Sequence, residues 1–170
     1  MNIGIVGQGY VGTAVKTIFE KHYSVDTFDL DKEKCSVDTI DLLVNKVGLI
    51  FVCVPTPMNQ DGSCNLSIVE SVVKEIDNAA SLIEAETFEK RSLVVAIKST
   101  VPPGTTDRLN AEHKNITVIF NPEFLTEANF IDDFKSQNRI IIGGQRPAST
   151  LLRQIYSLSF PNAKIIKTGA

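Results

Sequence analysis

The chain has 170 residues, 43% of them hydrophobic and 22% charged, with a net charge of −3, a length that suits one domain with a sizeable core. Nothing in that charge favours a nucleic acid or an anionic membrane as partner, and no stretch approaches the roughly 18 apolar residues of a membrane helix. The N-terminus lacks the basic start of a signal peptide, so a soluble, cytoplasmic protein is expected.

A strand is predicted at 2–6. It runs straight into Gly7-Gln8-Gly9-Tyr10-Val11-Gly12, which opens a helix at 11–21. A second strand at 24–28 leads to Asp29, seventeen residues beyond Gly12. These are the parts of a dinucleotide site in their working order. Gly7 permits the tight turn after the strand, Gly9 lets the backbone approach a pyrophosphate, and Gly12 lets the helix pack closely with its N-terminus aimed at the phosphates. A carboxylate at Asp29 accepts both hydroxyls of an adenosine ribose and repels a 2′-phosphate. NAD rather than NADP is therefore the expected cofactor.

Beyond Asp29 the pattern keeps alternating. Helices are predicted at 36–45, 66–82, 105–112 and 148–158, with a short one near Thr126, and strands at 48–54, 93–97, 117–120, 139–143 and 163–167. Runs such as Leu49-Ile-Phe-Val-Cys-Val54 are apolar throughout, as in strands covered on both faces. In the third helix Val69, Val72, Val73, Ile76 and Ala80 recur at helical spacing. The charged stretch Glu84 to Lys90 reads as a surface excursion. The expectation is an α/β, Rossmann-type doubly wound, mainly parallel sheet with helices on both faces, forming one domain over 1–170. Cys35, Cys53 and Cys64 show no paired spacing and read as free thiols, Cys53 in the core. No metal site is expected. His22 and His113 sit in charged stretches and receive no role.

Ligands of open parallel sheets lie at the carboxyl ends of the strands, so the following loops carry the chemistry: Gly7–Gly12, Asp29–Lys34, Pro55–Gly62, Ser99–Thr106, Asn121–Asn129 and Gly143-Gly144. Val54-Pro55-Thr56-Pro57 is held extended by its two prolines; it reads either as a wall of the cofactor pocket or as a stiff turn. Ser99 and Thr100 bring two hydroxyls to a strand end, able to position a water or a substrate oxygen, and Thr105 or Thr106 suits a helix cap. Glu123 and Glu127 are four residues apart, so a helical turn would put both carboxylates on one face. They fit either shared acid–base work or simple stabilisation of a helix start.

Gly-Gln-Gly-Tyr-Val-Gly, Val-Pro-Thr-Pro, Ser-Thr-Val-Pro-Pro-Gly-Thr and Asn-Pro-Glu-Phe-Leu occur in this order at strand ends. The set closely resembles the N-terminal NAD-binding domain of the UDP-glucose/GDP-mannose dehydrogenase family, and the resemblance covers nearly the whole chain. Members oxidise the C6 alcohol of a nucleotide sugar to a carboxylate with two NAD⁺, through a cysteine thiohemiacetal and thioester. The resemblance implies that Gly7, Gln8, Gly9, Tyr10, Val11 and Gly12 hold the pyrophosphate, Asp29 the adenosine ribose, and Lys34 the basic position beside it. Val54, Pro55, Thr56, Pro57 and Thr100 would line the nicotinamide side. Glu123 matches the acid–base glutamate, Phe124 and Leu125 would offer backbone to the sugar, and Glu127 would lie near cofactor and sugar together.

The chain departs from the family pattern in three places. It stops where members continue into a central helix and a nucleotide-sugar domain, which supply a lysine, an asparagine, the nucleophilic cysteine and its aspartate. Only 24 residues separate Asp29 from Val54, fewer than members usually carry. Ala128 stands where glycine is usual. The expected partners are a nucleotide sugar such as UDP-glucose, a C-terminal half or second polypeptide, and further copies of the chain, since members dimerise largely through their central helix. Two other readings fit parts of the pattern. A non-catalytic NAD(H)-binding module would not need Thr100, Glu123 and Glu127. A dehydrogenase of the 3-hydroxyacid or 6-phosphogluconate type would lack the Asn-Pro-Glu-Phe-Leu loop.

Overall fold

A computed structural model describes residues 1–87 and 92–169. Seven strands form one sheet: β1 (Asn2–Val6), β2 (Ser24–Phe28), β3 (Leu49–Val52), β4 (Leu93–Ile97), β5 (Ile116–Phe120), β6 (Arg139–Gly143) and β7 (Lys164–Thr168). Their order is β2-β1-β3-β4-β5-β6-β7. The first five are parallel, and β6 with its parallel neighbour β7 runs against them. Doubly wound, mainly parallel packing is therefore the observed architecture.

Helices α1 (Tyr10–Phe19), α5 (Phe130–Lys135) and α6 (Ala148–Ser159) cover one face, and α2 (Ile40–Lys46), α3 (Ser67–Thr87) and α4 (Thr105–Glu112) the other. The continuous apolar runs follow from this: along β3, side chains alternate between the two cores, Leu49 and Phe51 on one face, Ile50 and Val52 on the other, all fully buried. On the α1 side Phe19 stacks on Phe51 at 5.4 Å between ring centres and meets Tyr156 edge-on at 5.2 Å, geometries aromatic rings favour.

Several expectations need correction. Residues 84–87 extend α3 rather than leaving it, because Ile83 keeps the helical spacing and packs on the core; positions 88–90 of the expected excursion lie outside the described residues. α2 starts at Ile40, where the Thr39 hydroxyl accepts the Leu42 amide at 3.2 Å, so 36–39 are free for another role. The short helix begins at Phe130, not near Thr126. Neither Thr105 nor Thr106 caps α4. Gly104 occupies the N-cap at φ +83°, and both threonines are buried in the first turn.

Strand direction matters most for the site. Phe120 pairs antiparallel with Gly143, so β6 starts beyond the ligand-bearing edge and runs inward from it. Gly143-Gly144 therefore ends a strand that runs inward, level with Phe120 and against Ile119, and opens no ligand loop; Arg139, at the start of β6, stands beside the Asn121–Leu125 loop instead, with its guanidinium 5.1 Å from the Phe124 ring centre.

Candidate active site

The glycine loop has the geometry its residues predict. Gly7 sits at φ +92°, and a Cβ there would lie 2.7 Å from the Cys53 carbonyl oxygen. A Cβ on Gly12 would lie 1.8 Å from the Gly7 oxygen, so only glycine lets α1 come this close to the β1 turn. Gly9 is the opposite case. Nothing stands within 4 Å of its Cβ position, which leaves a gap that a pyrophosphate can enter. Gly9 caps α1 without a side-chain bond, and the first turn carries no acidic residue, so the helix N-terminus is electrostatically open to an anion. Tyr10 is half exposed, its ring 5.3 Å from that of Phe130.

Asp29 follows β2 directly. Its Oδ2 accepts the Gln8 amide at 2.5 Å and its Oδ1 the Asp31 amide at 2.8 Å. A carboxylate has about four acceptor positions, so one on each oxygen remains for a ribose hydroxyl. The Gln8 amide is thereby committed to Asp29 rather than to a phosphate. Lys34 ends a short 3-10 turn (Lys32–Lys34) and pairs with Asp31 at 3.5 Å. A cleft of about 350 Å³ opens beside it, lined by Gln8, Thr13, Lys16, Lys34 and Cys35. Leu30, next to Asp29, is 96% exposed, an apolar side chain at the ligand edge for which the sequence pattern gives no signal.

The other loops converge on the same edge. The buried Ser99 hydroxyl donates to the Val54 carbonyl at 2.6 Å, which commits its one proton to pinning the Val54–Pro57 loop. Thr100 is exposed, and its carbonyl accepts the Cys64 thiol at 3.6 Å. The Glu123–Glu127 juxtaposition on a helical face does not form, since 121–126 is irregular and a turn begins only at 127. Pro122 interrupts backbone donation there, and Glu123 folds back to accept the Leu125 amide at 2.5 Å. That amide is thus occupied, Phe124 is exposed, and Glu127 is exposed on the turn. Asp133 closes the loop by accepting the amide and hydroxyl of Thr126 at 2.8 and 2.6 Å.

Beneath this loop lies a polar cluster with no local sequence signature. Lys98 is 1% exposed, and its Nζ donates to the Asn121 carbonyl (3.2 Å), Asn121 Oδ1 (3.3 Å) and the Tyr156 hydroxyl (3.3 Å). Tyr156 donates to Asn121 Oδ1 at 2.6 Å, and Asn121 Nδ2 donates to the Ile141 carbonyl at 2.8 Å. Burial outweighs the pull of Cys53 and Glu123 and brings the ammonium down to about 8. Burial also pushes the Cys53 thiol up to about 12. His113 is half buried against Asp77 at 3.3 Å, away from this edge, and His22 is exposed.

The buried lysine makes the stability of the fold depend on pH. Its native pKa lies below the unfolded value of 10.5, so between about pH 8 and 9 the unfolded chain holds the extra proton and stability rises with pH. One proton contributes at most about 1.4 kcal/mol per pH unit, so a gain approaching 1 kcal/mol is expected. Above pH 9 Cys53, ionised when unfolded and protonated to about 12 when folded, works in the other direction and levels the rise. Urea midpoints measured across this range should show the rise, and Lys98→Met should abolish it. A midpoint that is flat or falling from pH 8 to 9 contradicts the assignment.

Among the described residues no group of His, Cys, Asp and Glu side chains could hold a metal ion, and no helix is long and apolar enough to cross a membrane. Comparison with known proteins adds an independent line. Residues 34–159 match the model of the UDP-glucose/GDP-mannose dehydrogenase family, NAD binding domain. The match starts after the glycine loop and Asp29. The chain is 31% identical to UDP-glucose 6-dehydrogenase YwqF of Bacillus subtilis over 98% of its own length and 46% of the relative's. That alignment spans 213 positions, more than the 170 residues present here, so the relative carries residues without a counterpart. A UDP-glucose dehydrogenase from Pyrobaculum islandicum superposes with a TM-score of 0.85 at 25% identity, over 99% of this chain and 46% of that one. The GDP-mannose dehydrogenase of Pseudomonas aeruginosa, at 24% identity over 99% and 46%, shares the fold with a TM-score of 0.82. The chain thus spans less than half the length of these relatives.

Proposed function

The chain belongs to the UDP-glucose/GDP-mannose dehydrogenase family as its NAD-binding domain, and from that premise we propose that it is the single-domain cofactor half of a cytoplasmic nucleotide-sugar 6-dehydrogenase. The observation that carries the proposal is the open Gly9 position at an uncapped helix start, with the Asp29 carboxylate hydrogen-bonded across the loop. Phosphate oxygens would meet the N-terminus of α1 and the backbone from Gly9 to Gly12, with Gly7 and Gln8 shaping the turn beneath them. The ribose hydroxyls would donate to Asp29 with Lys34 alongside, and Leu30 would lie against the adenine.

NAD⁺, when bound, supplies the hydride acceptor. The chain's own residues would then do three things. Val54 to Pro57, pinned by Ser99, would wall the nicotinamide side with Thr100 at its rim. Glu123 would hold or release a proton at its carboxylate, close enough to Lys98 for the two charges to interact. Phe124, Leu125 and Glu127 would border the sugar, once Leu125 exchanges its bond to Glu123 for one to substrate.

The thiohemiacetal and thioester route that the resemblance implies needs a cysteine nucleophile to carry the aldehyde-level intermediate. Cys53 does not suit that role, because a thiol pushed up to about 12 contributes almost no thiolate near neutrality. The nucleophile and most contacts to the nucleotide sugar would come from a further segment or a second polypeptide. Pure chain given NAD⁺ and UDP-glucose should therefore yield no sugar acid and no NADH above background. Sustained NADH formation, followed at its absorbance, would contradict the division of labour.

A further inference from the structure

The classical dinucleotide-binding order, 3-2-1-4-5-6, has a strand outside the second one. Here β2 is the outermost strand on its side, because the segment between Asp29 and Val54 is too short for another helix and strand. Its edge is nonetheless covered where the cofactor loop begins, by side chains and backbone groups of the segment that follows Asp29.

Ser36 Oγ accepts the Thr27 amide at 2.8 Å, while the Ser36 and Val37 amides donate to the Thr27 carbonyl at 2.9 and 3.3 Å. The Thr27 hydroxyl returns a bond to the Lys34 carbonyl at 2.8 Å. Two residues further along the chain, Cys35 Sγ lies 3.1 Å from the Asp29 amide, as acceptor, and 3.1 Å from the Asp29 carbonyl, as donor. One thiol thus contacts both backbone groups that a neighbouring strand would pair. Asp29 is held from both sides, its carboxylate by the Gln8 and Asp31 amides and its backbone by Cys35.

We propose that the segment Lys34–Val37 is a clasp in place of the missing strand, and that Cys35 and Ser36 are positioning residues setting the Asp29 carboxylate for the cofactor's ribose. The proposal rests on the assignment of Asp29 to that ribose. A clasp that acts through Asp29 has an energetic signature that a merely structural contact lacks: its effect on binding disappears once the carboxylate is gone.

The test is a double-mutant cycle on the full chain, with NAD⁺ and ADP-ribose titrated by calorimetry into the unmodified protein, Asp29→Ala, Cys35→Ala and the pair. Cys35→Ala should weaken both ligands about fivefold, Cys35→Ser should restore most of the loss, and Cys35→Ala should add less than twofold in the Asp29→Ala background. A loss of equal size in both backgrounds, or none in either, overturns the clasp and leaves the ribose assignment standing. Unchanged affinity in Asp29→Ala, or no NAD⁺ binding by the unmodified chain, overturns the assignment and the clasp with it. Unfolding midpoints run alongside establish that each variant is folded. If Cys35→Ala is not, Ser36→Ala carries the same comparison.

Discussion

Gly12→Ala is expected to lower stability by about 3 kcal/mol or more, and Gly9→Ala, three residues earlier in the same loop, by less than about 0.5 kcal/mol. The difference is geometric. The methyl added at Gly12 would stand 1.8 Å from the Gly7 oxygen and 2.9 Å from its carbonyl carbon, and these are backbone atoms of a turn already at φ +92°, which cannot rotate aside. Relief would require α1 to back away from β1, opening the core around Ala14, Val15 and Ile18. At Gly9 the backbone is at φ −76° and the methyl would project into empty space. Gly9→Ala should therefore fold normally yet bind NAD⁺ at least tenfold more weakly, since the methyl takes the space a pyrophosphate needs. Urea unfolding and calorimetry of the two variants separate the effects. Gly9→Ala with unimpaired NAD⁺ affinity would mean that the gap is not the phosphate site, and Gly12→Ala of normal stability would mean that α1 packs less tightly than described.

Much of the fold is legible in the sequence because its signals are local. Strands buried on both faces read as apolar runs, and the glycine loop is recognisable since each glycine answers a separate local constraint. What cannot be read depends on contacts distant in the chain. The reversal of β6 leaves its apolar pattern unchanged, so the pattern alone makes Gly143-Gly144 a ligand loop and gives no sign of Arg139. Lys98 ends an apolar strand, but its partners Asn121 and Tyr156 are 23 and 58 residues away.

The acidic loop departs from expectation for another reason. The four-residue spacing of Glu123 and Glu127 presupposes a helix, whereas Glu123 satisfies the Leu125 amide locally and Asp133 fixes Thr126. Ser99 likewise reads in the sequence as a hydroxyl able to position a water or a substrate oxygen, and the bond of its proton to the Val54 carbonyl gives no local sign. The shortness of the segment after Asp29 is visible as a count. That Cys35 and Ser36 compensate for it emerges only at the edge of β2 in three dimensions.

Asp29 is the residue that would make this an NAD site rather than an NADP site. A ribose 2′-hydroxyl donates to a carboxylate, whereas a 2′-phosphate brings two like charges together in a partly desolvated site. Two charge-assisted hydrogen bonds are lost in Asp29→Ala, an effect of roughly 2 kcal/mol or more, near thirtyfold in affinity. Calorimetric titration of NAD⁺ and NADP⁺ into the chain and into Asp29→Ala tests this most directly. NAD⁺ should bind at least tenfold more tightly than NADP⁺, with that preference and most of the NAD⁺ affinity lost in the variant. Equal affinity for the two nucleotides, or an Asp29→Ala variant that binds NAD⁺ as well as the unmodified chain, would contradict it.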